Sequence, residues 1–114
     1  MEIESRFWIT KDGQKVFGKG PCILLKTVER LGSLNKAAGE LNISYSKAWS
    51  IIHNAENLLG HKLLETNTGG QNGGGSNLTS KAKALIKAYE GFCQNIEKSI
   101  KELYNEYFES ALYE

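Results

Sequence analysis

The sequence predicts a mainly α-helical domain with two small β-hairpins, a helix–turn–helix at its centre and a long C-terminal helix. Three observations carry this. Asp12-Gly13 stands between two runs of strand-forming residues, a strong signal for a two-residue hairpin turn. Ser33 and Ser44 each precede a run with helical apolar spacing, and Asn42-Ile43 supplies a tight turn between those runs. Past a glycine-rich stretch, Leu85, Tyr89, Phe92, Ile96, Leu103 and Tyr107 recur close to a heptad spacing. Residues 1–80 are expected to form the body and 81–114 the long helix, all within one domain.

In chain order, Arg6-Phe-Trp-Ile9 and Lys15-Val-Phe17 form the first hairpin. Gly18-Lys-Gly-Pro21 then breaks the chain. Pro21 fits the first turn of a helix, where its missing N–H leaves no bond unmade. The helix that follows carries Ile23, Leu24, Leu25, Val28 and Leu31 on its apolar side and stops at Gly32. Ser33 caps a short second helix, Leu34 to Leu41, in which Ala37-Ala38-Gly39 allows a close helix crossing. Ser44 caps a third helix from Tyr45 to about Leu59. There Ile52, Ala55 and Leu59 share one face with Ala48 and Ile51 beside them, and Gly60 ends it. Lys62 to Thr66 reads as a strand, and Ser76-Asn-Leu78 can pair back on it. Thr79 or Ser80 caps the last helix, which is expected to continue to Leu112.

Composition narrows the function. At 114 residues the chain can hold one domain with a modest core. No stretch approaches the ~20 apolar residues of a membrane span, and the N-terminus lacks the basic-then-apolar pattern of a secretory signal. Cys22 and Cys93 are alone and far apart, as expected of reduced thiols in a cytoplasmic protein rather than of a metal cluster or disulfide framework. His53 and His61 have no organised carboxylate or cysteine partner, so neither catalysis nor a metal site is expected. No cofactor is implied.

Charge is uneven although the net is only +1. Residues 1–87 carry twelve Lys/Arg against seven Asp/Glu, and residues 88–114 carry two against six. A basic body with an acidic tail suits a polyanion that touches one end.

The order helix, helix, tight turn, helix, hairpin, long helix is that of a winged helix-turn-helix, and its partner would be double-stranded DNA. A recognition helix enters the major groove with its N-terminal turn toward the bases. Here that turn offers Ser44, Tyr45, Ser46 and Lys47, and Ser50, His53 and Asn54 follow on the outward side. Lys36 on the preceding helix is placed for the phosphate backbone. Trp49 is expected to pack partly into the body. The alternative is a three-helix bundle with a polar surface.

These segments also resemble a known family. Gly32-Ser-Leu-Asn-Lys-Ala-Ala38 followed by Ile43-Ser-Tyr-Ser-Lys-Ala-Trp49 is similar to the winged helix-turn-helix of LysR-type regulators. Ser44-Tyr45, Ala48-Trp49 and the run from Thr68 through Gly73 to Thr79 look closer to the N-terminal domain of ModE-like molybdate-dependent regulators. The resemblance extends to Asp12-Gly13, Val16-Phe17-Gly18 and Tyr89, and it implies DNA-binding transcription regulation.

The glycine run admits three readings. A phosphate-binding loop would need Lys-Ser or Lys-Thr after the glycines at the start of a helix, and neither is present. A slack linker fits the composition. The flanking strands and the resemblance favour a wing, with Gly69, Gly70, Gln71, Asn72 and Gly73 at its tip and Lys81 just beyond. Glycines there can take positive φ and bring backbone N–H groups close to phosphate.

Two departures from the family pattern stand out. Thr66, Asn67 and Gln71 are neutral where relatives often carry a base. Residues 33–79 balance Lys36, Lys47 and Lys62 against Glu40, Glu56 and Glu65. Lys81, Lys83 and Lys87, with Lys11, Lys15 and Lys19 of the first hairpin, are the candidates to compensate. The chain also ends after the long helix, so the resemblance carries over DNA binding without a molybdate-sensing domain, and a separate sensor protein is a possible partner.

The long helix presents more apolar surface than its own body can cover, and a homodimer through its stripe is the economical solution. A helix folded back on the domain, or frayed beyond Tyr104, is the alternative. The leading expectation is a homodimeric, sequence-specific transcription regulator. The competing one is a winged-helix protein-interaction module with little DNA affinity.

Overall fold

The computed structural model describes residues 1–67 and 75–113. Its first hairpin pairs β1 (Trp8–Lys11) with β2 (Gln14–Gly18), antiparallel, with an irregularity between Ile9 and Thr10. Asp12 and Gly13 both have positive φ, 51° and 78°. A two-residue turn of that kind matches the twist of its strands, which is why this dipeptide closes hairpins. Val16 and Phe17 are buried, while Trp8 lies half exposed under Lys15, whose Nζ is 4.1 Å from the ring centroid.

The sequence suggests a break after β2 at Gly18-Lys-Gly-Pro21, but the chain passes directly into the next helix. Gly18 is at once the end of the strand and the N-cap of α1 (Lys19–Leu31). Pro21 falls in the first turn of α1, where it is harmless. Helix α1 buries Cys22, Leu24, Leu25, Thr27 and Val28. Ile23, expected on the same side, is instead 40% exposed. It stands about 100° round the helix from each neighbour, and the buried arc is centred on Leu24, Leu25 and Val28. Gly32 ends the helix at φ 73°, its N–H donating to the Val28 carbonyl.

Helices α2 (Leu34–Glu40) and α3 (Tyr45–Leu59) are capped as expected. Ser33 Oγ accepts from Lys36 N at 3.2 Å and Ser44 Oγ from Lys47 N at 3.0 Å. Each satisfies an otherwise orphaned donor, typically worth ~1 kcal/mol. Asn42 turns the chain between them at φ 56°. Ala37 and Ala38 are buried in the crossing, but Gly39 is exposed and a Cβ there would meet nothing. The small-residue contact is therefore made by the alanines alone. Arg30 on α1 pairs with Glu40 at the end of α2.

The second hairpin pairs β3 (Leu64–Asn67) with β4 (Gly75–Leu78) in the register Leu64↔Leu78 to Asn67↔Gly75. Thr79 Oγ1 then caps α4 (Ser80–Tyr113), accepting from Ala82 N at 3.1 Å. At ~1.5 Å per residue the 34 residues of α4 extend about 50 Å. The molecule measures 66 Å along its longest direction and 29 by 22 Å across.

The core gathers Phe17, Leu24, Leu25, Val28, Ile52 and Leu63, all essentially inaccessible. Burial of side chains of this kind stabilises by ~1.5–3 kcal/mol each. Only the first part of α4 joins them, through Ala82 and Ile86, with Leu85 and Tyr89 packed alongside. The Tyr89 ring meets Phe17 edge-on at 5.4 Å, and its hydroxyl donates to the Phe7 carbonyl at 3.0 Å. Burial, followed by the neighbouring Cys93, pushes the Tyr89 phenol up to about 12. Burial likewise raises Cys22, with Glu90 adding to the effect, so that side chain remains a thiol.

Candidate nucleic-acid interface

The cap at Ser44 fixes where α3 begins and hence which residues surround its N-terminal turn. Ser44, Tyr45, Ser46, Lys47, Ser50 and Asn54 are all exposed, and His53 is partly buried. Ser46, Ser50 and Asn54 lie opposite the buried stripe of Ala48, Ile52 and Ala55, and Tyr45 and His53 lie to one side of it. Among the described residues, neither Lys36 nor Lys47 pairs with a carboxylate. Lys36 is exposed on α2, and Lys81 in the first turn of α4. The wing-tip candidates Gly69, Gly70, Gln71, Asn72 and Gly73 lie outside the described residues.

Trp49 is about half covered, in line with partial packing, and its exposed part has a partner that the sequence reading did not name. Its ring is 46% exposed and stacks on the imidazole of His53, with centroids 3.7 Å apart and planes at 15°. His53 Nδ1 lies 2.9 Å from the Trp49 carbonyl oxygen. Tyr45 is 51% exposed one turn earlier. Tyr45, Trp49 and His53 follow one another at four-residue spacing, so they line one face of α3 beside the buried stripe. That spacing was in the sequence and could have shown that the three share a face. The three side chains border a shallow cleft whose far wall is the second hairpin, at Leu64, Thr66 and Ser76.

The hairpin is held at its base from several directions. Ser76 N donates to the Gly32 carbonyl at 2.9 Å, joining β4 to the junction of α1 and α2. A Cβ on Gly75 would lie 2.9 Å from that same oxygen. Gly75 thus permits a close backbone approach that no other residue could make without displacement. Thr79 N donates to the Leu63 carbonyl at 3.0 Å, and Thr79 Oγ1 to the Lys62 carbonyl at 2.8 Å. Glu56 faces inward from α3 at 6% exposure, its Oε2 accepting from Leu63 N at 2.7 Å and Leu64 N at 3.3 Å. Its Oε1 lies 3.9 Å from both Lys62 Nζ and His53 Nε2. The sequence shows Glu56 only as one acid among three; its burial came from the fold.

The structure sorts the remaining bases. Lys11 Nζ donates to the Leu58 carbonyl at 3.0 Å, pinning the first hairpin to the end of α3. Lys15 covers Trp8, and Lys26 pairs with Glu90 at 2.7 Å. Lys81, Lys83 and Lys87 are exposed. Among the described residues no group of three or more His, Cys, Asp or Glu side chains is placed to hold a metal ion. No described helix is long and apolar enough to cross a membrane.

Of the apolar residues assigned to the α4 stripe, Leu85 and Tyr89 pack on the body. Phe92 is 54% exposed and meets Phe7 edge-on at 6.1 Å, while Ile96 is partly buried. Leu103 and Tyr107 are open to solvent, at 52% and 71%.

The sequence profile of the bacterial regulatory helix-turn-helix protein family of LysR type matches residues 23–83, from within α1 to the first turn of α4. The transcriptional regulator ModE of Haemophilus influenzae is 42% identical over 67 residues, covering 59% of this chain and 26% of that protein. The DNA-binding transcriptional dual regulator ModE of Escherichia coli K12 is 38% identical over 87 residues, 75% of this chain and 33% of that protein. The chain thus spans between a quarter and a third of the length of these relatives. Two solved structures share the fold. ArgP from Mycobacterium tuberculosis superposes with a TM-score of 0.54 at 19% identity, over 75% of this chain and 30% of that one. Full-length CbnR, in complex with its target DNA, gives 0.56 at 20% identity, over 75% and 28%. The chain belongs to the LysR-type family of bacterial regulatory helix-turn-helix proteins, in a branch of sequence similar to the N-terminal part of ModE regulators.

Proposed function

We propose that these residues form the DNA-reading part of a cytoplasmic transcription regulator that binds a two-fold site as a homodimer. Helix α3 lies in the major groove of each half-site. Tyr45, Ser46, Lys47 and Ser50 are offered to base edges, and Lys36 and Lys81 to phosphates. The second hairpin lies along the adjacent backbone. The observation that carries this reading is the exposed N-terminal face of α3, where Lys47 is unpaired among the described residues and aromatic rings stand half clear of the body. Dimerisation is supported by the apolar side chains left open on distal α4. Affinity per copy is modest because phosphate neutralisation is thinly supplied between residues 33 and 79, and pairing two copies doubles every contact.

Selection from a pool of random duplex DNA at two salt concentrations tests the reading. The expected result is an enriched palindrome whose affinity falls steeply as salt rises. Binding by residues 1–114 should be the same with and without molybdate. No enrichment at either salt would shift the assignment to a protein-interaction module, the reading that the balanced charge of residues 33–79 favours. Replacing Tyr45 and Lys47 together with Ala should reduce affinity with the fold intact, and unchanged binding would remove α3 as the reading element. Trp49→Ala should weaken DNA binding more than it lowers stability, the reverse of what a buried ring would give.

A further inference from the structure

A carboxylate is seldom buried without a specific partner, because removing it from water is costly. Glu56 is such a case. It stands in the buried stripe of α3 beside Ile52 and Ala55, and its Oε2 meets two successive backbone N–H groups, those of Leu63 and Leu64. Among the described residues, this one carboxylate makes every side-chain hydrogen bond from α3 to residues 61–67. The other ties at the base of the second hairpin lead elsewhere. Ser76 binds the α1–α2 junction, and Thr79 joins the start of α4 to residues 62 and 63.

We propose that Glu56 is a positioning residue for DNA reading: it sets the pitch of the β3–β4 hairpin relative to α3, and so determines whether both can engage one duplex. The inference rests on the DNA-reading function proposed above. Glu56 acts through the backbone of Leu63 and Leu64 and need not touch DNA. The acceptor geometry, rather than charge, carries the role. Lys62 and His53 both stand 3.9 Å from Oε1, at the limit of an ion pair, and the Lys62 side chain is 76% exposed, where such pairs contribute little. The bond to Leu63 N, at 2.7 Å in a buried setting, is by contrast short, and a neutral amide oxygen at the same reach could accept it equally.

Three variants separate the possibilities. Glu56→Gln keeps an acceptor oxygen at the same reach and removes the charge. Glu56→Asp keeps the charge and draws the oxygens back by one methylene. Glu56→Ala removes both. Two readouts apply to each: residual dipolar couplings of the β3 and β4 amides relative to α3 in the free protein, and affinity with a hydroxyl-radical footprint on the duplex selected from the random pool. Glu56→Gln should match the parent in both. Glu56→Asp and Glu56→Ala should reorient the hairpin and weaken binding by about tenfold or more, the scale set by leaving buried backbone donors without an acceptor. Their footprints should lose the hairpin protections and keep those of α3. Parental couplings in a folded Glu56→Asp protein, or a Glu56→Gln protein that fails alongside it, would overturn the proposal. If Glu56→Ala does not fold, the Asp and Gln pair still decides. If the parent selects no duplex, the DNA-reading function itself fails, while the couplings still report whether Glu56 sets the hairpin.

Discussion

The two ends of α4 belong to one continuous helix and meet opposite fates. Near its start, Ala82 and Ile86 are buried, Leu85 and Tyr89 pack on the core, and Tyr89 is hydrogen-bonded to Phe7. From residue 101 to 113 every side chain but Tyr104 is exposed, among them Leu103, Tyr107, Phe108 and Leu112, at 41% to 71%. The distal segment has one internal aromatic contact, Tyr104 on Phe108 with ring centroids at 5.5 Å. An isolated helix that short is marginal in water, and packing of an apolar face normally supplies its stability. The difference teaches that periodicity declares an apolar stripe without saying what covers it. The proximal stripe is covered by the chain itself, and the distal stripe is the part that the dimer proposed above would cover.

The sharpest break in the comparison comes from removing one side of it. A chain ended after Lys101 keeps Tyr89 and its contacts, and should be a folded monomer at concentrations where the full chain is a dimer. Analytical ultracentrifugation would show this, and a persisting dimer would place the interface on the body. Ile86→Ala should lower the unfolding free energy by about 2–4 kcal/mol in urea titration, independently of protein concentration. Tyr89→Phe keeps the ring and loses one hydrogen bond, for a cost of about 1 kcal/mol.

Tyr89 also carries a pH signature. Its phenol is raised in the folded state to about 12, against an ordinary value of ~10. The folded chain therefore holds that proton more tightly than the unfolded chain does. The resulting stabilisation is complete below pH ~10 and is lost as pH rises through about 12. Alkaline melting curves of Tyr89→Phe should lack that component of the decline. The smallest effect is expected at the far end. Leu103→Ala should change monomer stability by no more than about 0.5 kcal/mol, while visibly weakening self-association.

Much of the fold could be read from local chemistry. Ser33, Ser44 and Thr79 cap helices because their oxygens answer a need that arises within one turn of chain. Asp12-Gly13, Asn42, Gly32 and Gly60 take positive φ where the sequence places turns and helix ends. The exposed start of α3 was legible for the same reason, since the cap at Ser44 fixes where the helix begins. Most of what escaped depended on neighbours distant in sequence. Ile23 sits in a run of apolar residues, and only the packed body decides which of them face in. Trp49 was expected to pack partly into the body, and its half-exposed ring does so, but its stacking on His53 was not foreseen. Glu56 is buried because two backbone N–H groups arrive beside it from the next segment, which no local pattern announces.

Gly75 has a further consequence, for how the second hairpin can change length. In the text of the sequence it is one of three identical letters, Gly73 to Gly75. In space it is tied to the Gly32 carbonyl by a gap too narrow for a methyl group, and three residues later Leu78 is buried. An extra residue between Gly75 and Leu78 would either turn Leu78 to the opposite face or move a side chain into that gap. An extra residue ahead of Gly75 would disturb neither contact. Insertions and deletions in this hairpin should therefore be accepted on one side of a single glycine and rejected on the other.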